Sequence, residues 1–133
     1  MNKNIEYIYS LPNASCTLRI VEHLNRKYQS TLSSVAVINL VDRWTIKVSL
    51  QHSIPYKLAK NLQAFLNEMG TIDEPSARVL QAIASLERGE SPTAVMNRYQ
   101  VVIVVYGKPE IEEIEIFRDR IVDRLGYCPQ NMV

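Results

Sequence analysis

The chain has 133 residues, of which 47% are hydrophobic and 22% are charged, and these values fit one folded domain. They exclude a disordered charged tail, a collagen-like repeat and a metal-rich miniprotein. Fifteen Lys and Arg against fourteen Asp and Glu give a net charge of +1, so overall charge predicts no attraction to nucleic acid or membranes. We therefore predict a single domain over residues 1–133.

The cysteines and the first residues indicate the compartment. No window reaches the roughly 18 apolar residues of a membrane helix, and Ile5–Leu11 is too short and polar for a signal sequence. Cys16 and Cys128 lie near opposite ends, whereas a secreted chain of this size usually has more cysteines. We expect free thiols, with one long-range disulfide as the alternative, no membrane span and a cytoplasmic location.

Alternating apolar and polar residues predict strands in the first half of the chain. These strands are Ile5–Leu11, Val35–Val41 and Trp44–Leu50. Cys16–Leu24 fits two patterns, because Leu18 and Ile20 alternate with polar neighbours, whereas Leu18, Val21 and Leu24 share a helical face. We predict a strand there, since Cys, Thr, Ile and Val favour β-structure, and keep a helix as the alternative.

Apolar stripes at helical spacing predict four helices. The first helix begins at Pro55 and ends at Gly70, and the second begins after a cap at Asp73 and ends at Gly89. The third helix runs from Ser91-Pro92 to Tyr99, and the last runs from near Glu110 to Gly126. The residues of the last helix predicted to face the core are Ile111, Ile114, Phe117, Ile121, Val122 and Leu125.

The run Val101–Val105 has no polar alternation, which predicts a strand covered on both faces and central in its sheet. Together, these elements predict an α+β protein: a single layered domain in which a mainly antiparallel sheet packs against helices.

No pattern indicates catalysis or a cofactor. Each of the four glycines lies where a helix or strand ends, so none is left for a phosphate-binding loop. His23, His52 and the two cysteines lack the spacing of a zinc site. We expect no cofactor, no metal and no enzymatic activity. An enzyme or sensor with a small-molecule pocket between the sheet and the helices is an alternative that the sequence leaves open.

A basic sheet face is the candidate contact site. Arg43 and Lys47 project together from one predicted strand, and Arg19 lies on the same face if Cys16–Leu24 is also a strand. Arg19, Arg43 and Lys47 are thus candidate contacts to nucleic acid or to a partner, although a solvated face explains them as well.

Two stretches resemble known families. Residues 82–101, AIASLERGESPTAVMNRYQV, resemble the first two helices of the helix-turn-helix family of DNA-binding and transposase-type domains. A β-branched run follows where the recognition helix should begin, so the resemblance implies the helix–turn–helix geometry and not the DNA contact. Residues 9–20, YSLPNASCTLRI, resemble an uncharacterised cyanobacterial family with a Cys-Thr-Leu-x-Ile strand, which implies a photosynthetic bacterium as the source.

The sequence predicts a non-enzymatic protein-interaction module: an adaptor, assembly factor or regulator that could form a homodimer. Its halves differ in charge, since residues 1–70 carry eight Lys and Arg against four acids, and residues 71–133 carry seven against ten. The tyrosines considered as interface anchors are Tyr7, Tyr9, Tyr28, Tyr56, Tyr106 and Tyr127. The alternative is a nucleic-acid-binding regulatory protein.

Overall fold

The computed structural model describes the backbone of residues 4–125 and the side chains of residues 4–119. The elements, in chain order, are β1 (Ile5–Leu11), α1 (Ala14–Lys27), β2 (Leu32–Asn39), β3 (Trp44–Leu50), α2 (Tyr56–Met69), β4 (Thr71–Ile72), α3 (Ala77–Glu87), α4 (Pro92–Tyr99), β5 (Val102–Gly107) and α5 (Ile111–Leu125). Each helix in this part of the chain is too short or too polar to cross a bilayer.

The strands form one antiparallel sheet in the order β4-β1-β3-β2-β5. Ile46 of the central strand β3 lies opposite Tyr9 of β1 on one side and Val37 of β2 on the other. The predicted α+β fold with an antiparallel sheet packed against helices is confirmed.

Helices cover both faces of this sheet. Side chains on the Ile46 face form a core with α1, α2 and α5, and the largest fully buried ones include Tyr9, Leu24 and Leu62. The opposite face packs Ile38 against Ile83 and other residues of α3 and α4. The sheet is therefore the middle layer of three.

The predicted strand over Cys16–Leu24 is wrong, because this segment lies within α1. The Asn13 side chain caps the helix by accepting a hydrogen bond from the Cys16 N–H at 2.8 Å. Leu18, Val21 and Leu24 then lie on the buried side, as the alternative pattern required. Burial against the sheet outweighs the weak β-preference of the Cys, Thr, Ile and Val side chains.

The run at Val101–Val105 does form a strand, yet its predicted central position is wrong because β5 is an edge strand. The pairing with β2 skips one residue, so Val104 is an extra residue in a bulge. Val104 and Val105 consequently both pack in the core of the Ile46 face, while Ile103 and Tyr106 pack against the other face. Both faces are covered without a second neighbouring strand, which explains the absence of polar alternation.

Three smaller predictions also need correction. β2 ends at Asn39, and Val41 is fully exposed in the turn before β3. Ser76, rather than Asp73, caps α3 by accepting from the Val79 N–H. Ile111, predicted to face the core, is 54% exposed.

The remaining helix predictions hold closely. Pro55 and Gly70 flank α2, and α4 begins at Pro92 after the Ser91 cap, as the sequence indicated. Ile114 and Phe117 of α5 are buried as predicted. The predicted inward side chains of Ile121, Val122 and Leu125, and the predicted end at Gly126, lie outside the described residues.

Candidate interaction surface

Lys47 lies at the centre of the sheet on the face covered by α3. Its side chain projects away from the Ile46 core and is 8% exposed as a residue. The Lys47 Nζ lies 2.6 Å from Glu87 Oε2, at the end of α3, and 3.1 Å from Glu6 Oε2 on β1. Ser49 Oγ donates to the same Glu6 oxygen at 3.5 Å. We call these four residues the polar centre.

The electrostatics of the polar centre hold Lys47 in its charged form. Burial by itself would lower the Lys47 pKa, but the hydrogen bonds that Lys47 donates to Glu87 and Glu6, together with their negative charges, outweigh burial and raise this pKa above its ordinary 10.5. An ammonium group that keeps its proton cannot act as a base or nucleophile. Two carboxylates against one ammonium also leave this cluster net negative, so it does not attract phosphate.

The other two residues of the predicted basic face lie elsewhere. Arg19 is on α1, which packs against the opposite face of the sheet from Lys47. Arg43 is in the turn before β3, where its carbonyl accepts from the Leu40 N–H at 2.8 Å. Both arginine side chains are half-buried. The structure therefore does not bring Arg19, Arg43 and Lys47 together. Arg19 lies on a helix rather than on the predicted strand, and Arg43 lies in the turn just outside β3.

The surroundings of His23 and Cys16 shift the pKa values of both side chains. The His23 ring stacks on Phe65 at 4.1 Å between centroids, and burial, followed by the charges of Lys27 and Arg26, lowers the pKa of His23. Burial raises the pKa of the Cys16 thiol, so this thiol stays protonated. Within residues 4–119, no three His, Cys, Asp or Glu side chains gather as metal ligands would.

The predicted tyrosine anchors divide by burial. Tyr9 and Tyr28 are buried in the core, and Tyr7 and Tyr106 are half-buried. Tyr56 is exposed at the start of α2, while Tyr127 lies outside the described residues. The tyrosines thus form no single exposed patch in the part of the chain that the structure describes.

The outer side of β5 is the most distinctive surface. Among the described strands, β5 has β2 as its single neighbour. Its six residues contain no charge and no proline, and only Val105 is buried, while Val102 is 54% exposed. Edge strands are commonly protected against pairing by charges, prolines or bulges, and β5 has only the bulge at Val104. We call the outer side of Val102–Gly107 the open edge.

The opposite edge of the sheet is protected in several ways. The two-residue strand β4 pairs with Tyr9 and Ser10 of β1. The Asp73 N–H donates to the Ile8 carbonyl at 3.0 Å, and the exposed Glu6 places a charge on the uncovered part of β1. Short strands and charges are devices that prevent edge pairing, so the two edges differ in their readiness to accept a strand.

Sequence reasoning missed the open edge because residues 101–105 were assigned to the centre of the sheet. A β-branched run indicates that side chains on both faces of a strand are packed. It does not indicate whether the strand is hydrogen-bonded to one neighbouring strand or to two. Only the observed strand order distinguishes the two positions.

No protein-family model matches the chain, and no curated protein matches it. A solved structure, the C-terminal domain of YpbH, is similar over 59% of this chain and 80% of its own length, with 19% sequence identity and a TM-score of 0.42. A likeness at this level supports no conclusion about this chain. The two resemblances noted in the sequence stay predictions.

Proposed function

We propose that this chain is a non-enzymatic protein-interaction module, an adaptor, assembly factor or regulator, that binds another polypeptide by adding a strand to β5. The observation that supports this proposal is the open edge: an uncharged, proline-free edge strand with one exposed end at Val102. Unpaired N–H and C=O groups along such an edge are a ready template for an incoming strand.

The state of the ionisable side chains also supports a non-enzymatic role. Lys47, Cys16 and His23 are three described side chains that could in principle support covalent or acid–base chemistry. Lys47 is paired with two carboxylates, Cys16 is buried and protonated, and the His23 ring is stacked on an aromatic side chain. Burial outweighs the charge of Arg19, which by itself would lower the Cys16 pKa, so the thiol is not activated as a nucleophile.

The experiment compares two lysine substitutions at opposite edges. Val102→Lys places a charge on the open edge, and Ile72→Lys places the same charge on β4, where Ile72 is 70% exposed. Proteins captured from extract are identified by cross-linking, and their affinities for both variants are measured with purified components. We expect Val102→Lys to weaken binding roughly tenfold or more through charge burial at the paired edge, and Ile72→Lys to leave it unchanged.

Two results would contradict the proposal. One is equal binding by wild type, Val102→Lys and Ile72→Lys. The other is binding of generic DNA or RNA that weakens steeply with salt and is insensitive to Val102→Lys, which would favour the nucleic-acid alternative.

A further inference from the structure

We propose that the turn between α3 and α4 contains a binding site for a phosphate group, and that the Glu90 side chain occupies this site as an internal competitor. Two arginines and two hydroxyl groups build the site, and we call these four residues the anion site: Ser85, Arg88, Arg98 and Tyr99. The site lies on α3, α4 and their connection, so the inference does not depend on strand addition at β5.

Both arginines of the anion site contact the Glu90 carboxylate. The Arg98 Nη1 lies 2.6 Å from Glu90 Oε1, and the Arg88 Nη2 lies 3.4 Å from Glu90 Oε2. Each guanidinium group therefore faces its own carboxylate oxygen. Arginine is favoured at phosphate sites because its planar set of N–H donors matches the oxygens of a phosphate as well as those of a carboxylate.

Two hydroxyl groups complete the anion site. The Arg88 Nη2 also donates to the Ser85 Oγ at 2.9 Å, and this oxygen lies 3.0 Å from the Tyr99 hydroxyl. Ser85 is fully buried, so packing fixes the position of its hydroxyl group. A hydrogen bond with Ser85, followed by the contacts with Arg98 and Arg88, lowers the pKa of Glu90. The site thus stabilises a negative charge at this position.

Glu90 does not balance the charge of the two arginines that surround it. The charged residues within residues 77–100 are Arg78, Glu87, Arg88, Glu90 and Arg98. Glu87 is paired with Lys47, and Arg78 adds a further positive charge at the other end of α3. The two acidic residues just before that other end are Asp73 and Glu74. A phosphate monoester carries about −1.5 to −2 charges at pH 7, so it would neutralise both arginines, whereas one carboxylate neutralises one.

The Glu90 side chain can leave the anion site while the turn keeps its shape. The Glu90 N–H donates to the Ser85 carbonyl at 3.1 Å, and the Ser91 side chain caps α4. Neither of these contacts uses the Glu90 carboxylate. The side chains of Arg88 and Arg98 are 63% and 53% exposed, so an anion from the solvent can reach both. A bound phosphate would therefore take over the contacts of Glu90 within the existing turn.

Removing the internal competitor tests the site in the full-length chain. Glu90→Ala should bind inorganic phosphate roughly tenfold or more tighter than wild type in titration calorimetry at constant ionic strength. Adding Arg98→Gln to Glu90→Ala should remove this gain, because one of the two guanidinium groups is lost. Glu115→Ala removes the same charge from the exposed side of α5, and this control should bind phosphate as wild type does. Circular dichroism melting verifies that each variant is folded.

A second ligand distinguishes the two sources of a phosphate group. A short phosphoserine peptide and its unphosphorylated form are titrated against the same variants. Tighter binding of the phosphopeptide than of inorganic phosphate supports a phosphorylated side chain as the ligand, and the reverse order supports inorganic phosphate. The inference is overturned if Glu90→Ala gains no affinity for either ligand, or if the gain persists after Arg98→Gln. Both of these results leave the proposed function standing, since that function is tested at Val102.

Discussion

Replacing Lys47 by Met tests whether the polar centre ties α3 to the sheet. The substitution keeps the length of the side chain and removes the ammonium that lies 2.6 Å from Glu87 and 3.1 Å from Glu6. At an effective dielectric constant near 20, each contact has a gross Coulomb attraction of about 5–6 kcal/mol. The cost of burying the ammonium cancels most of this attraction, and both carboxylates keep part of their hydration.

We therefore expect Lys47→Met to lower the free energy of unfolding by about 1–3 kcal/mol, and Glu87→Gln by about 1 kcal/mol. The double variant should lose less than the sum, with a coupling energy of about 1 kcal/mol. Urea unfolding followed by circular dichroism measures all four proteins of the cycle. Glu115→Gln, on the exposed side of α5, is the control and should change stability by less than about 0.5 kcal/mol.

The pH dependence gives a second check on the same contact. Because the Lys47 pKa in the folded chain lies above 10.5, its contribution is complete below that pH and is lost as the pH rises through the folded value. The difference between wild type and Lys47→Met should be equal at about pH 7 and about pH 9 and decline above about pH 10.5. A coupling energy below about 0.3 kcal/mol, or a difference with no alkaline decline, would refute the reasoning.

Other predictions concern packing and protonation. Gly70→Ala should cost about 2 kcal/mol or more in urea unfolding, because a Cβ there overlaps the Ser10 carbonyl. By the same assay, Leu62→Ala should cost about 2–5 kcal/mol and the half-exposed Leu80→Ala less than about 1 kcal/mol; equal losses would contradict the assignment of the core. Since the folded pKa of His23 lies below its ordinary 6.5, the unfolded chain binds the proton more readily, and stability should fall as the pH drops below 6.5. His23→Gln should remove that part of the fall, and an unchanged pH profile would argue against it.

The sequence predicted most elements because their patterns are local. The alternation through Trp44–Leu50 located β3 and assigned its two faces, and the Pro55 and Gly70 positions bounded α2. Cys16–Leu24 shows where this fails, since its residues fit a strand and a helix equally well. The Asn13 cap is the local signal that favours the helix, because Asn is a preferred residue at the N-cap position.

The candidate site depended on contacts that no local pattern contains. Glu87 is 40 residues from Lys47, and the two meet because α3 packs on the sheet face from which Lys47 projects. The sequence therefore offered Lys47 as a free cation, whereas the fold buries this ammonium and pairs it with Glu6 and Glu87. For the same reason the position of β5 was missed, because strand order is a property of the whole sheet.

Amide hydrogen exchange at Val102–Gly107, measured with and without a captured partner, tests most directly whether the outer side of β5 binds a strand. We expect the outward-facing amides of β5 to become protected when the partner is added, while Thr71 and Ile72 in β4 keep a constant rate. Protection should disappear in Val102→Lys. Exchange in β5 at one fast rate that no captured partner changes would contradict the proposed strand addition.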